Sequence, residues 1–586
     1  MRTVTFLALV FTLCTSVAAV FECRCFPGDT CWPPWQQWKD FNASIGGRLI
    51  STVSLGSVCH TAGEFSAYNQ EACANLIADW GFPATHYRTC TSPMALWFAN
   101  SSCNPFLPRE IPCLNTALQR YTVNVSGVND VQKTVQFAQK HKIRLVIRNT
   151  GHDYLGKSTA PGGLALWMHN LKNTEYLQYR SSSYVGPALR LGAGVQGFEA
   201  MAAAHAQNKV ILTGNCDSVG VVGGYSQGGG HGQLASWVGL AADQVLEWEV
   251  VTAAGEHLTV TPEVYSDLFW ALSGGGGGTF AIVMSATVKA YPEVSTASAN
   301  LTFSGENVAP EVFWDIIRNF VVNITALTDT GAVAIWAVIG DHFSLTPITW
   351  PGGSVDHLQA GLASTLKMLQ ENNLTYGTCL ATLKAPGSQD SLTERAAYHI
   401  QQFPSFWDCY MAMNPHSNIT EAQIGGRLMP RDVIEYDTDG LFMTLRDIAD
   451  MGVVVSGVSL NVSRNSVPEN AVNPAWRDAA ISVVLGTGYN YTNREANVES
   501  QSLMTDVLIP LLTDLSPDSG AYLNEADWNQ PDWQSTFYGD NYPLLHQIKQ
   551  EFDPDGVFYA RTAVGSEAWI ELEDGHLCQF PDPWRD

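Results

Sequence analysis

One stretch constrains this chain more than any other: Thr213-Gly-Asn-Cys216-Asp-Ser-Val219-Gly220-Val-Val-Gly223-Gly224-Tyr-Ser-Gln-Gly228-Gly-Gly230-His-Gly232, in which eight of twenty residues are glycine. Without a Cβ, the backbone can run close to a flat ligand or a phosphate. Cys216 inside it reads in two ways that the residues leave open, a thiol donor to a cofactor or a small buried hydrophobe in a turn. A second segment, Arg148-Asn149-Thr150-Gly151-His152-Asp153-Tyr154, follows the strand-like run Ile143–Arg148. Successive backbone N–H groups in such a turn form an anion-binding nest suited to pyrophosphate. His152 is there open as a base, a ligand, a covalent attachment point or a polar loop residue. Ser273 and Gly274–Gly278 make another close-approach loop. Gly192-Ala-Gly194-Val-Gln-Gly197, with Asp217 beyond it, matches the dinucleotide-binding pattern. The strand before it is short and carries Arg190, and Asp217 lies inside the second glycine-rich stretch, so these glycines read as a tight turn of another α/β fold.

Around these segments helix and strand signals alternate. Val128, Val131, Val135 and Ala138 recur at helical spacing. Strands are expected at Leu164–Trp167, Ala188–Leu191, Val245–Thr252 and Ala281–Ala290, and a helix at Phe198–Gln207. Farther on, β-rich runs (Gly331–Gly340, Val453–Val462, Ala479–Leu485) with the helical Asp356–Gln370 predict a sheet covered by helices on one face. A helix is expected at Tyr542–Phe552. No fixed-period repeat and no low-complexity linker interrupts the 586 residues.

Charge and targeting signals narrow the function. Lys and Arg number 31 against 56 Asp and Glu, a net charge of −25, which argues against nucleic acid or an anionic membrane surface as partner. Residues 1–19 read as a secretory signal, with Arg2, the apolar Val4–Leu13 and the small residues Val17-Ala18-Ala19. Nine Asn-x-Ser/Thr sequons (Asn42, Asn100, Asn124, Asn300, Asn323, Asn373, Asn418, Asn461 and Asn490) agree with a secreted glycoprotein. Cys23, Cys25, Cys31, Cys59, Cys73, Cys90, Cys103, Cys113 and Cys578 cluster near the two ends, as disulfides tying down terminal segments would. Cys379 and Cys409 read as a separate pair, and Cys216 stands alone. The cysteine and histidine spacings fit no zinc site, so no metal is expected.

Read together, the Arg148–Tyr154 and Gly214–Gly224 segments, Gly239-Leu-Ala-Ala-Asp243-Gln-Val245-Leu, Asp267-Leu-Phe-Trp-Ala-Leu-Ser-Gly-Gly-Gly-Gly-Gly, Tyr522-Leu-Asn524-Glu525-Ala-Asp527 and the Asn541–Pro554 segment resemble the berberine bridge enzyme-like FAD-linked oxidoreductases, in a form similar to fungal secreted members. This family belongs to the vanillyl-alcohol oxidase / para-cresol methylhydroxylase (PCMH) superfamily. The resemblance covers about residues 116–295 and 515–562.

It implies an α+β, two-domain PCMH-type FAD-binding fold with a separate antiparallel-sheet substrate domain. The expected division is a signal at 1–19, a Cys-rich extension at 20–115, an FAD-binding domain at 116–295, a substrate domain at 296–530, and a closing segment at 531–586 that completes the FAD domain. It further implies FAD held by two covalent links, from His152 to the 8α methyl and from Cys216 to C6. Asn149, Thr150, Gly151 and Asp153 would form the pyrophosphate nest. Val219, Gly220, Gly223, Gly224, Gly228, Gly230, Asp243, Val245 and Asn541 would complete the cofactor site. Val219 resembles members that leave room for oxygen above the ring, which implies an oxidase producing peroxide from a small-molecule substrate and O2. Tyr522, Asn524, Glu525 and Tyr538 are the catalytic candidates. The family's glutamate base on a central strand has no counterpart, because Val458–Asn461 offers only Ser459 and Asn461. The chain is expected to be secreted and to act as a monomer without a membrane partner.

Overall fold

The computed structural model describes residues 22–580 apart from 101, 375, 378–395, 415–417, 420 and 465–467. The signal-like segment 1–19 and Cys379 lie outside the described residues.

Among the described residues, the three largest of five sheets frame the fold. The first joins Leu49–Ser51, Tyr121–Asn124, Leu164–Trp167 and Leu145–Arg148 in that order, and its last three strands run parallel. A parallel return needs a crossover, supplied by the helix Val128–Lys140. That helix buries Val131, Thr134, Val135 and Ala138 on one stripe, the face its sequence spacing predicts. The strand Leu145–Arg148 ends where the turn Asn149–Asp153 begins, so the parallel sheet delivers that turn to its C-terminal edge.

The second sheet is antiparallel, in the order His257–Val260, Val245–Val251, Ile282–Lys289, Val185–Gly192, Thr174–Arg180. Gly192 pairs with Ser285 in it. The G-x-G-x-x-G glycines therefore follow an antiparallel strand, not the first strand of a parallel βαβ unit. Their use is close backbone passage: a Cβ on Gly194 would fall 2.0 Å from the His169 carbonyl oxygen.

The third sheet has eight strands, ordered Tyr376–Gly377, Ala396–Phe403, Thr296–Ser304, His342–Pro351, Val333–Ile339, Val454–Ser459, Ala479–Gly488 and Ala422–Pro430. All pairs are antiparallel except that of the outermost strand. Period-2 alternation sends Ala297, Ala299, Leu301 and Phe303 into one core with the apolar faces of the helices Pro310–Thr328, Val355–Glu371 and Thr438–Asp450.

Among the described residues four disulfides, Cys23–Cys578, Cys25–Cys31, Cys59–Cys73 and Cys103–Cys113, stitch the ends. Cys90 is a buried free thiol, unlike the other cysteines near the ends. Cys23–Cys578 closes nearly the whole chain into one loop, which restricts the unfolded state most. The C-terminal helix Tyr542–Phe552 is fastened by buried Lys549. Its ammonium donates to Asp553 at 2.6 Å and to the carbonyls of Thr279 and Phe558 at 2.7 Å each. Ala521, Leu523 and Ala526 pack in the same core as the antiparallel second sheet, which brings the segment that carries Tyr522–Glu525 against the glycine-rich loops. Among the described residues no helix is long and apolar enough to cross a membrane.

Candidate active site

A cleft of about 390 Å³ opens where the Asn149–Asp153 and Cys216–Gly224 turns meet the Tyr522–Glu525 segment. One wall is made almost wholly of backbone and small residues. Asn149, Thr150, Gly151, His152 and Asp153 line it, opposite Cys216, Val219, Gly220, Gly223 and Gly224. Gly151 has φ +89°, and a Cβ there would sit 2.7 Å from the Arg148 guanidinium. Cβ atoms on Gly220 and Gly223 would each come within 2.7 Å of Asn149 Nδ2. These turns therefore need glycine. Asn149 Nδ2 donates to the Ala193 carbonyl, and its Oδ1 is buried without a partner, as are Asn215 Oδ1 and Gln227 Oε1. Asp153 accepts from the N–H groups of Leu155 and Ser158 at 2.9 and 3.0 Å, which closes the turn on itself.

His152 and Cys216 face each other at the foot of this wall, with Nε2 4.0 Å from Sγ. Ser218 Oγ lies 2.8 Å from His152 Nε2 and 3.4 Å from Cys216 Sγ. Burial, helped by the nearby positive charge of Arg148 and by His86, pushes the His152 pKa down to about 3, so the imidazole is neutral near pH 7. Burial pushes the Cys216 thiol up. Arg148, fully buried, donates to the carbonyls of Thr89 and His86 at 3.2 and 3.4 Å and anchors the turn to the Cys-rich extension. Lys157 also lines the cleft; burial lowers its pKa to about 8 against the opposing pull of Asp153.

The other wall consists of side chains from distant segments. Tyr522 is buried, edge-on to His231 and Trp476 with centroids 5.3 and 5.4 Å away. Burial holds its phenol well above the ordinary range, which keeps it protonated. Asn524 Nδ2 donates to the Tyr522 hydroxyl at 2.8 Å and to the Gly224 carbonyl at 3.0 Å, so it ties the two walls together. The Glu525 carboxylate, partly exposed, lies 3.2 and 3.3 Å from His231 Nε2 through its two oxygens. The helix Phe406–Met413 locks the Cys216 loop from outside: Tyr410 and Asn414 just after it both donate to the Asn215 carbonyl, at 3.2 and 2.8 Å.

Several expected site residues stand outside the cleft lining. Tyr538 is fully buried in the core and donates its hydroxyl to the Thr562 carbonyl at 2.9 Å; the helix Trp533–Tyr538 points it inward. Asp243 is buried and paired with Arg477 at 2.8 Å and with Asn470 at 2.7 Å. Val245 starts a core strand. Asn541 donates to the Val472 carbonyl. Gly228 packs on Asn524, and Gly230 takes φ +76° so that its carbonyl accepts from Ala241. Ser459 accepts from Trp336 Nε1 at 3.0 Å and Asn461 pairs with Asp329, so neither reaches the cleft. His231, Ser218 and Lys157 went unassigned in the sequence. His231 and Ser218 stand inside the glycine-rich segment, where their residue types were the available signal, whereas nothing local marks Lys157.

The residues fit a flat cofactor with a diphosphate: a Cβ-free cradle, orphaned amide oxygens that can accept from ring N–H groups and the half-buried Lys157 ammonium meet in one cleft. Comparison with known proteins agrees. A model described as "FAD binding domain" matches residues 120–261 and one described as "Berberine and berberine like" matches 521–565. The FAD-linked oxidoreductase sor8 of Hypocrea jecorina is 44% identical over 95% of this chain and 93% of its own length. The crystal structure of the VAO-type flavoprotein MtVAO615 from Myceliophthora thermophila C1 superposes with TM-score 0.88 at 36% identity, covering 95% of this chain and 100% of that one. In fold alone, the chain is similar to the Acremonium strictum glucooligosaccharide oxidase with 6-S-cysteinyl, 8α-N1-histidyl FAD, at TM-score 0.61 and 17% identity over 77% of this chain and 93% of that one.

Proposed function

Because the chain belongs to the FAD-linked oxidoreductases of the vanillyl-alcohol oxidase and berberine bridge type, we propose that it is a secreted, N-glycosylated oxidase. It takes a hydride from a carbon bearing an O–H or N–H in an alcohol, sugar or secondary metabolite, and O2 leaves as peroxide. The observation that carries this reading is the placement of His152 and Cys216, 4.0 Å apart, at the foot of a glycine-lined cleft that faces an ionisable Glu525. His152 and Cys216 match the His and Cys attachment types of the glucooligosaccharide oxidase, which supports a bicovalent FAD. The proposed FAD domain is 116–295 with 531–586, and 296–530 the substrate domain.

Bound FAD supplies the hydride acceptor. The chain's part is proton handling and orientation. Glu525 is the proposed proton acceptor from the substrate, since its carboxylate lines the cleft and a base must lie within hydrogen-bond reach of the proton it takes. His231 Nε2–H donates to that carboxylate and orients it. Tyr522, which keeps its proton, donates to the substrate or its product, and Asn524 holds the phenol in place. Thr150 and the N–H groups of the Asn149–Asp153 turn, with Lys157, would hold the diphosphate. Val219 leaves the approach for O2 open.

A substrate panel assayed for peroxide release in air tests this reading. Turnover with equimolar peroxide supports it. Anaerobic flavin bleaching with no peroxide in air would instead make the chain a dehydrogenase using another acceptor, and no bleaching with any substrate would point to a binding protein with a relict flavin site.

A further inference from the structure

His152 and Cys216 come from turns 64 residues apart, and one hydroxyl touches both. Ser218 Oγ, in a residue 4% exposed, lies 2.8 Å from His152 Nε2 and 3.4 Å from Cys216 Sγ. Ser218 itself is fixed from behind, its carbonyl accepting from Gln196 Nε2 at 2.7 Å. Gln196 caps the helix Gly197–His205 and is held in turn by Lys172 Nζ at 3.0 Å. Among the described residues His152 Nδ1 has no hydrogen-bond partner.

A neutral imidazole carries one N–H, and the partner of one ring nitrogen decides which nitrogen is left with a lone pair. A hydroxyl has one proton to give and lone pairs to receive with. Between a ring N–H and a sulfur, a serine can accept from the first and donate to the second at once. We propose that Ser218 is a positioning residue for flavin attachment, holding His152 as the Nε2–H tautomer so that Nδ1 presents its lone pair, and donating its own O–H to the Cys216 sulfur so that the thiolate is favoured. The inference rests on the bicovalent reading above. Each of the two bonds replaces one hydrogen of the cofactor, on the 8α carbon or on C6, and one hydrogen of the side chain. The two electrons and two protons released per bond reduce one O2 to peroxide. Thiolate, not thiol, is the nucleophile, and burial by itself works against it at Cys216. Among the described residues Ser218 is thus the one group that hydrogen-bonds both side chains.

The test compares wild type, Ser218→Ala and Ser218→Thr as purified flavoproteins. Flavin retained in the acid-precipitated pellet is measured, with peptide mass spectrometry of the His152 and Cys216 peptides. Wild type should carry both links. Ser218→Ala should bind FAD yet show the doubly attached form reduced roughly tenfold, the scale of one lost hydrogen bond, with the Cys216 link the more affected. Ser218→Thr, which restores the hydroxyl, should return it to near the wild-type level. Ser218→Ala with both links at wild-type extent overturns the inference. So does Ser218→Thr that binds FAD but attaches it no better than Ser218→Ala, because the hydroxyl is then not the operative group. A wild type that surrenders all its FAD to the acid supernatant fails differently: it removes the bicovalent reading itself.

Discussion

The two walls of the cleft are built on opposite principles. The wall of Asn149–Asp153 and Cys216–Gly224 is continuous in sequence within each turn, and its shape comes from backbone that glycine allows to pass within contact of Asn149 and Arg148. The wall of His231, Tyr522, Asn524 and Glu525 draws on residues nearly 300 positions apart, and its chemistry lies in side chains. The local wall can be read whole from two strings of residues; of the assembled wall the sequence shows only the segment Tyr522–Asp527, with His231 far from it. This is why the cofactor reading could rest on strings of residues while the choice of Glu525 as proposed base rests on its place beside His231.

The largest expected effect separates the walls functionally. Glu525→Gln should lower turnover roughly 10²- to 10⁴-fold, the usual worth of a positioned base, with flavin content unchanged; rapid-reaction reduction of the flavin measures it. Unaltered reduction would take the base away from Glu525. His231→Gln, which keeps a donor toward the carboxylate, should cost far less than His231→Leu.

Next comes acid stability, which bears on the motif wall. His86 is fully buried, its ring nitrogens bonded to Ser92 Oγ and the Trp80 carbonyl, and its own carbonyl receives Arg148. Burial lowers its pKa to about 4. A depressed histidine pKa means that the unfolded chain binds the proton first as pH falls. The contribution, about 3 kcal/mol by the shift, is therefore complete above pH 6.5 and drains away as pH drops toward 4. Thermal melts across that window should show the loss. His86→Gln should make the loss smaller, the remainder belonging to the likewise depressed His152, and a melt profile unchanged by His86→Gln would remove His86 as a contributor.

Smaller again is Gly220→Ala. The added methyl would fall 2.7 Å from Asn149 Nδ2, an overpacking cost of about 1–3 kcal/mol, and the ratio of flavin to protein absorbance should drop. Full flavin loading in Gly220→Ala would show the wall to be more yielding than its geometry. The smallest effect on stability is expected from Asn524→Ala, which deletes the hydrogen bonds to the Tyr522 hydroxyl and, across the walls, to the Gly224 carbonyl. A loss of about 1 kcal/mol in melting stability, with flavin still bound, would mark that link as a tie and not a support.

Much of the fold was legible. The stripe Val131, Val135 and Ala138 and the helix Tyr542–Phe552 fall where they were expected, because one-sided burial imposes a period on a helix that packs, and Leu164–Trp167, buried at all four residues, falls where a short apolar run marks a covered strand. The G-x-G-x-x-G also resolved as a turn, since the strand before it lacked the surroundings of a parallel unit. Other expectations had no such periodic signal behind them. Asp243 sits in a recognisable motif and Tyr538 between two of them, yet the helix Trp533–Tyr538 places Tyr538 in the core, and Arg477, 234 positions away, pairs with Asp243.

By itself, then, the sequence determined where the backbone must bend closely: each glycine in Gly151, Gly220 and Gly223 states locally that no side chain fits there. It also determined that His152 and Cys216 occupy such turns. Only the tertiary structure decided that they face each other across Ser218 Oγ, and that His231 meets Glu525. Hydrogen-bond partners are selected by distances of about 3 Å between segments, and nothing in the spacing of residues along a chain carries a distance across the space between two of its turns.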